Sequence, residues 1–320
     1  MNISMIHRFA RRIRNLFNLQ VLRRFKRPLE LEYLRRLAKR SGAELVCRTG
    51  NIAVCRGVNE IRISPKNHVY AQDLIRNFDY YFDVVVPLRE NGRLVVDYSA
   101  PTRHTMKDDG LEFWFPELAE SMETTRIYLD RAKLKPGDSV LDLGAYAGGA
   151  AYHFSRAVGA AGRVHAFEPD QRSFDCLAKN IELHALHNVT AHRRGVWSET
   201  GRVVFQAEGN MGSAIEDASD RSSDTKEWID VVSLADFCVE RRLERVDFVK
   251  MDVEGSEAPI LESAGDFIRK YRPSMIIEVH RVKGVRSDLD VARILTSHGY
   301  AVEKLDQAGL ELPLLYARPG

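Results

Sequence analysis

Asp142, Gly144, Gly148 and Glu168 have the types and spacing to hold a nucleoside. The first three lie in Val140-Leu-Asp-Leu-Gly-Ala-Tyr-Ala-Gly-Gly149. That stretch reads as a buried strand running into a tight turn that opens a helix. Glycine lets the backbone approach a ligand closely or take positive φ without penalty. The helix that follows points unpaired N–H groups back into the turn, where they favour an anion. Glu168 comes twenty residues after Gly148, at the tip of the next strand, Arg163–Phe167. A carboxylate there suits the two O–H donors of a ribose. The dinucleotide fingerprint G-x-G-x-x-G is built for a pyrophosphate. Here Asp142 stands in its first glycine position, a poor neighbour for a diphosphate and a suitable one for a ligand with a cationic amino group. A second set, Asp252, Glu254, Glu278 and His280, is acidic or imidazole-bearing and falls where two further strands end.

These residues need a sheet to bring them together. From residue 139 onward, strand and helix patterns alternate, which predicts a mostly parallel sheet with helices on both faces. The expected strands are 139–143, 163–167, 189–194, 229–233, 246–251 and 274–279, with an extra one at 202–206. The expected helices are 149–158, 171–185, 234–242, 256–271 and 287–298. Strands 300–305 and 314–318 close the chain, and the polar stretch 209–226 reads as a loop. Ligands of such sheets sit at the carboxyl ends of the strands, so Asp142, Glu168, Asp252, Glu254, Glu278 and His280 should line one rim.

The chain resembles the FkbM family of S-adenosylmethionine-dependent methyltransferases. The matching pieces are Asp142-Leu-Gly-Ala-Tyr-Ala-Gly148, Ala166-Phe-Glu-Pro169, Asn188-Val189, Lys250-Met-Asp-Val-Glu-Gly-Ser-Glu257 and Ile277-Glu-Val-His280. They run in family order across about residues 130–285. The resemblance fades in the first forty residues, and Tyr146 stands where many members carry Asn. It implies a Rossmann-like class I methyltransferase sheet with a reversed last strand. It also implies S-adenosylmethionine as methyl donor, held by Asp142, Gly144, Ala145, Gly148, Glu168 and Asp252. Methyl transfer depends on positioning the nucleophile and shielding it from water. A hydroxyl acceptor also has to lose a proton, and His280 supported by Glu278, beside Asp252 and Glu254, is the expected base. The same four groups could instead hold a divalent ion; that is the rival and not the favoured reading. The expected activity is O-methylation of a small molecule or saccharide. The alternatives are a nucleic-acid methyltransferase, which lacks an Asn/Asp-Pro-Pro-aromatic segment here, and a non-catalytic S-adenosylmethionine-binding protein.

Charge is unevenly spread. Residues 1–40 hold twelve Lys/Arg against two Asp/Glu, while the rest of the chain is mildly acidic. The pattern predicts a basic amphipathic helix over 5–26, stopped by Pro28, then a helix over 29–40. Residues 1–27 could dock on a partner or an anionic membrane surface. Residues 41–130 read as a small α+β element, and 131–320 as the methyltransferase domain. The aromatic cluster Phe78, Tyr80, Tyr81 and Phe82 has helical spacing, which favours core over a sugar platform. Four cysteines without zinc or disulfide spacing and the lack of a membrane-length apolar run indicate a cytoplasmic protein, peripheral at the inner membrane surface if the arm anchors it.

Overall fold

The computed structural model describes residues 19–206, 214–215, 226–282, 285–305 and 313–320. The expected basic face over residues 5–18 and most of the 209–226 loop lie outside these residues. One compact unit ends at Phe82 and takes in Pro87–Ser99; the other comprises Asp83–Val86 and Ala100–Gly320.

In the first unit, helix Leu19–Arg40 runs without a break through Pro28. Pro28 was expected to end it, but proline removes one hydrogen bond and need only kink a helix held by its flanks. A five-stranded sheet follows, ordered Glu44–Arg48, Asn51–Arg56, Asn59–Ile63, Arg93–Tyr98 and Leu88–Glu90. The last two strands form a hairpin that turns at Asn91 and Gly92, both at positive φ (47° and 79°). That twist matches the right-handed twist of the strands. Phe78, Tyr81 and Phe82 are buried, so the aromatic cluster is core, with only Tyr80 exposed.

The second unit is organised by a seven-stranded sheet. Its order is Val189–His192, Arg163–Phe167, Ser139–Leu143, Phe248–Met251, Ser274–Glu278, Leu314–Pro319, Tyr300–Leu305. The first five strands are parallel, and Leu314–Pro319 runs against its neighbours on both sides. This is the strand order that the family resemblance implies, reversed last strand included. The central strands are buried throughout, and their side chains alternate between two cores. Leu141, Leu143, Val249, Met251, Met275 and Ile277 pack on one face, against Phe237, Ile260, Phe267 and Ile294 of the helices there. Val140, Phe248 and Ile276 pack on the other, against Tyr128, Phe154 and Leu177. The same alternation puts Asp142, Lys250 and Glu278 on this second face, at its carboxyl end.

Three boundaries differ from the sequence pattern. The expected helix 256–271 is two helices, Glu257–Ser263 and Gly265–Tyr271, separated at Ala264. Pro116-Glu117 reads in the sequence as opening a helix to about Leu134, but the helix is Met122–Ala132, because Ser121 caps it by accepting from the Glu123 N–H. Residues 100–130 belong to the second unit rather than to a 41–130 element. The hairpin of Thr102–Thr105 and Glu112–Phe115 is tied down there by Asn180, which accepts from Trp114 N at 2.7 Å and donates to Trp114 O and Ala147 O, both at 2.8 Å.

Candidate active site

Asp142 sits at the end of the central strand with no solvent exposure. Its register partner is Lys250. The Lys250 Nζ lies 3.5 Å from Asp142 Oδ1 and 3.4 Å from Asp252 Oδ2, and donates to Gly144 O at 2.5 Å. Neither Asp142 oxygen has a hydrogen-bond partner among the described residues. Burial pushes the Asp142 pKa up to about 6 against the pull of Lys250. Burial works to lower the Lys250 pKa, but the charges of Asp252, Asp142, Glu120 and Glu278 outweigh it and raise the ammonium above its usual range. The sequence motif contains Lys250, yet its pattern gives it no role. Only the pairing of two buried strands reveals it as the fixed cation of the site.

The glycines are required by the protein's own chain. A Cβ on Gly144, at φ 77°, would lie 1.7 Å from Asp252 O, and one on Gly148, at φ 87°, 2.5 Å from Leu177 Cδ1. Gly144 and Ala145 both donate to Phe167 O, at 3.0 and 2.9 Å, which fastens the turn to the neighbouring strand. Tyr146 takes φ 47°, a left-handed angle that Asn tolerates better than other side chains, which explains the family's usual residue. Here Tyr146 is buried; its N–H donates to Glu168 Oε2 at 2.9 Å, and its hydroxyl to Leu118 O at 2.9 Å. Glu168 also accepts from Asp170 N at 2.8 Å through Oε1. Each oxygen keeps a lone pair for a further donor. Burial pushes the Glu168 pKa up to about 8, despite those two backbone bonds.

At the rim, His280 is enclosed by carboxylates. Its Nδ1 bonds Glu257 Oε1 at 2.9 Å, while Nε2 lies 3.4 Å from Glu254 Oε2 and 3.6 Å from Asp252 Oδ1. Burial alone would lower its pKa, but the Glu257 bond and the charges of Glu254 and Asp252 push it up to about 10. A histidine acting as base near neutral pH would keep the ordinary imidazole range of about 6–7, which is not what these surroundings give. Nor is Glu278 its hydrogen-bonding support: Glu278 Oε2 accepts from Tyr128 Oη at 3.2 Å, and the fully buried Glu257 holds the ring. Burial and the charge of Asp252 push Glu278 up to about 7, and burial pushes Glu254 up to about 8.

Residues 142–302 match the methyltransferase FkbM domain, half of the chain. This chain belongs to the FkbM methyltransferase family. As a family member it is a methyltransferase with S-adenosylmethionine as donor. It is 29% identical over 173 residues to methyltransferase 1 of Beauveria bassiana, covering 47% of this chain and 68% of that one. It is 29% identical over 209 residues to the 31-O-demethyl-FK506 methyltransferase FkbM of Streptomyces tacrolimicus, covering 56% and 79%. The crystal structure of methyltransferase FkbM from Methylobacillus flagellatus superposes with a TM-score of 0.43 at 17% identity, covering 78% of this chain and 60% of that one.

The residues of this FkbM chain fit S-adenosylmethionine on several grounds. Helix Gly149–Val158 begins at Gly148 with no side-chain cap, and Gly149, Ala150 and Ala151 are buried. The first N–H groups of a helix have no intrahelical partner and favour an acceptor, which a methionine carboxylate would supply. Glu168 has acceptor capacity for a ribose diol. The site is rich in carboxylates, which favours a sulfonium and an ammonium. One of them, Glu120, was not singled out by the sequence. A Cβ on Gly149 would sit 3.8 Å from Glu120 Oε2, so that carboxylate lies against the glycine turn. Burial pushes its pKa up to about 8. Tyr128 was missed as well. Both precede the motifs by a dozen or more residues and carry no local signal. Lys250 is the cation nearest Asp142, so the ammonium expected beside Asp142 has Glu120 as a second acceptor.

Proposed function

We propose that this FkbM methyltransferase moves the S-adenosylmethionine methyl group to a hydroxyl of a small molecule or saccharide. The observation that carries this reading is the acidic rim at the tips of the strands ending at Met251 and Glu278. An oxygen acceptor has to be stripped of a proton, and this rim places proton acceptors beside the cofactor turn. The reaction balances as an in-line displacement. The acceptor O–H bond breaks, and its proton passes to a carboxylate of the rim and then to water. A C–O bond forms while the S–C bond breaks, with the electron pair staying on sulfur.

Asp142, Gly144, Ala145, Gly148, Glu168 and Asp252 hold the cofactor, with Lys250 fixing Asp142 and Asp252. Glu278, held by Tyr128, takes the proton in place of His280, whose Nδ1 is committed to Glu257. The S. tacrolimicus relative's name describes an O-methylation of a small molecule, which agrees with this reading. The test is mass spectrometry of a panel of hydroxylated small molecules and saccharides incubated with the purified full chain and S-adenosylmethionine. A product heavier by one methylene, absent with Glu278→Gln, is expected. Methylation only at nitrogen or carbon would reject it.

A further inference from the structure

We infer that Asp252, Glu254 and His280 form a binding site for one divalent transition ion, of the Mn²⁺ to Zn²⁺ class. The three residues come from two strand tips, and one ligand atom of each lies within 4.8 Å of the others. His280 Nε2 stands 3.4 Å from Glu254 Oε2 and 3.6 Å from Asp252 Oδ1. Neither contact is a hydrogen bond, and Nε2 makes none with any described residue. Donors bound to one ion at about 2.1 Å are about 3.0 Å apart at octahedral angles and about 3.4 Å apart at tetrahedral ones. Both contacts are ion pairs, and their separations are also those that ligands take around one ion.

The second observation is independent and lies behind the ring. Ligating histidines almost always give their other N–H to a carboxylate or carbonyl, which fixes the tautomer and aims the free nitrogen. Glu257 does this from a position with no solvent exposure, accepting from Nδ1 at 2.9 Å. Its Oε1 also accepts from Gly255 N at 3.0 Å, while Oε2 is buried with no partner among the described residues. A buried carboxylate spent on orienting one imidazole is a costly device unless Nε2 has a task. The donor set also selects among ions. One imidazole and two carboxylates suit Mn²⁺, Fe²⁺ or Zn²⁺, whereas Mg²⁺ prefers oxygen ligands alone. Three protein ligands leave positions open, as at a catalytic rather than a structural centre.

This inference rests on the proposed O-methylation for its purpose: an acceptor hydroxyl taking an open position would be held in line and made more acidic. The test separates the two. The full chain is stripped with a chelator, dialysed, and titrated calorimetrically with MnCl₂ and with ZnCl₂. S-adenosylhomocysteine is titrated into the same preparations. One saturable site is expected. It should be weakened at least tenfold by Glu254→Gln, which removes a partly exposed carboxylate with no hydrogen bond among the described residues, and by His280→Ala. Glu257→Gln should weaken it ten- to a hundredfold, while Glu254→Gln leaves S-adenosylhomocysteine affinity within twofold. Ion binding unchanged in Glu254→Gln and His280→Ala, or no binding of either ion at millimolar concentration, overturns the inference. If S-adenosylhomocysteine binds normally in that last case, the methyltransferase reading survives without it. If the ion binds and S-adenosylhomocysteine does not, the methyltransferase reading fails and the site stands.

Discussion

Replacing Lys250 by methionine tests the charge balance at the centre of the sheet. Methionine keeps the packing stem but removes the cation 3.5 Å from Asp142. The Asp142 carboxylate would remain in a site with no solvent exposure and no hydrogen-bond donor. Removing one member of a buried ion pair costs about 3–5 kcal/mol, because the other is left uncompensated. The fold has one escape, which sets a ceiling. It can protonate Asp142, whose pKa in place is already about 6; at pH 7 that costs about 1.4 kcal/mol, for the one unit between them. The lost bond to Gly144 O adds about 1 kcal/mol. Lys250→Met should therefore destabilise the second unit by about 2–3 kcal/mol. Asp142→Asn combined with Lys250→Met should recover about 1 kcal/mol of that, since no proton then has to be taken up at position 142. Urea unfolding followed by tryptophan fluorescence suits the measurement, because Trp114, Trp197 and Trp228 all lie in this unit. A single-variant loss below about 1 kcal/mol, or a double variant as unstable as the two singles added, would refute the reasoning.

Three further outcomes follow from the geometry. Gly144→Ala combines a left-handed backbone angle with a Cβ 1.7 Å from Asp252 O; it should lose well over 1 kcal/mol of stability, and a urea midpoint equal to wild type would contradict this. His165 and His192 are buried, with Nδ1 and Nε2 3.2 Å apart, and burial holds their pKa values down to about 4 and about 3. Since an unfolded histidine titrates near 6.5, the unfolded chain binds more protons below that pH. The pair's stability is thus complete above about pH 7 and falls by on the order of several kcal/mol as pH drops to about 4. Relative to wild type, His192→Gln should lose less stability between pH 7 and 4.5 in thermal melts; an unchanged difference would sink the account. Glu168→Gln should weaken S-adenosylhomocysteine binding by about 2 kcal/mol, roughly thirtyfold, and calorimetry showing less than a twofold change would exclude Glu168 from the ribose site.

The sheet could be read from the sequence because its strands are short, largely apolar and punctuated. Val140 to Leu143 and Phe248 to Met251 alternate between two cores, and a polar residue inside such a run has to be satisfied by another strand. The carboxylates of the rim were legible for the same reason: they directly follow strand ends. What escaped was anything settled across elements. Lys250 was visible as a letter but not as the neighbour of Asp142, because register is a property of two strands. Glu257 looked like a helix residue, and its hold on His280 depends on how far the chain turns after Asp252. Tyr128 and Glu120 reach the site from before the first motif. Gly144 was read as making room for a ligand, whereas the closest atom it spares is a backbone oxygen of the protein itself. Helix Leu19–Arg40 shows the converse error, a local rule for proline overridden by its surroundings.

The amide of Asn180 has a consequence for how this sequence can drift. One side chain binds both backbone groups of Trp114 and the carbonyl of Ala147, so it joins the hairpin to the cofactor turn. Aspartate would set a charge against two carbonyls, serine and threonine are too short, and glutamine carries the amide one carbon too far. Histidine, lysine, tyrosine and isoleucine, the remaining residues within one base change of asparagine, cannot supply both an acceptor and two donors in that plane. No single mutational step leads away from Asn180 with its three bonds intact. Variation in the hairpin has to accumulate around this fixed point.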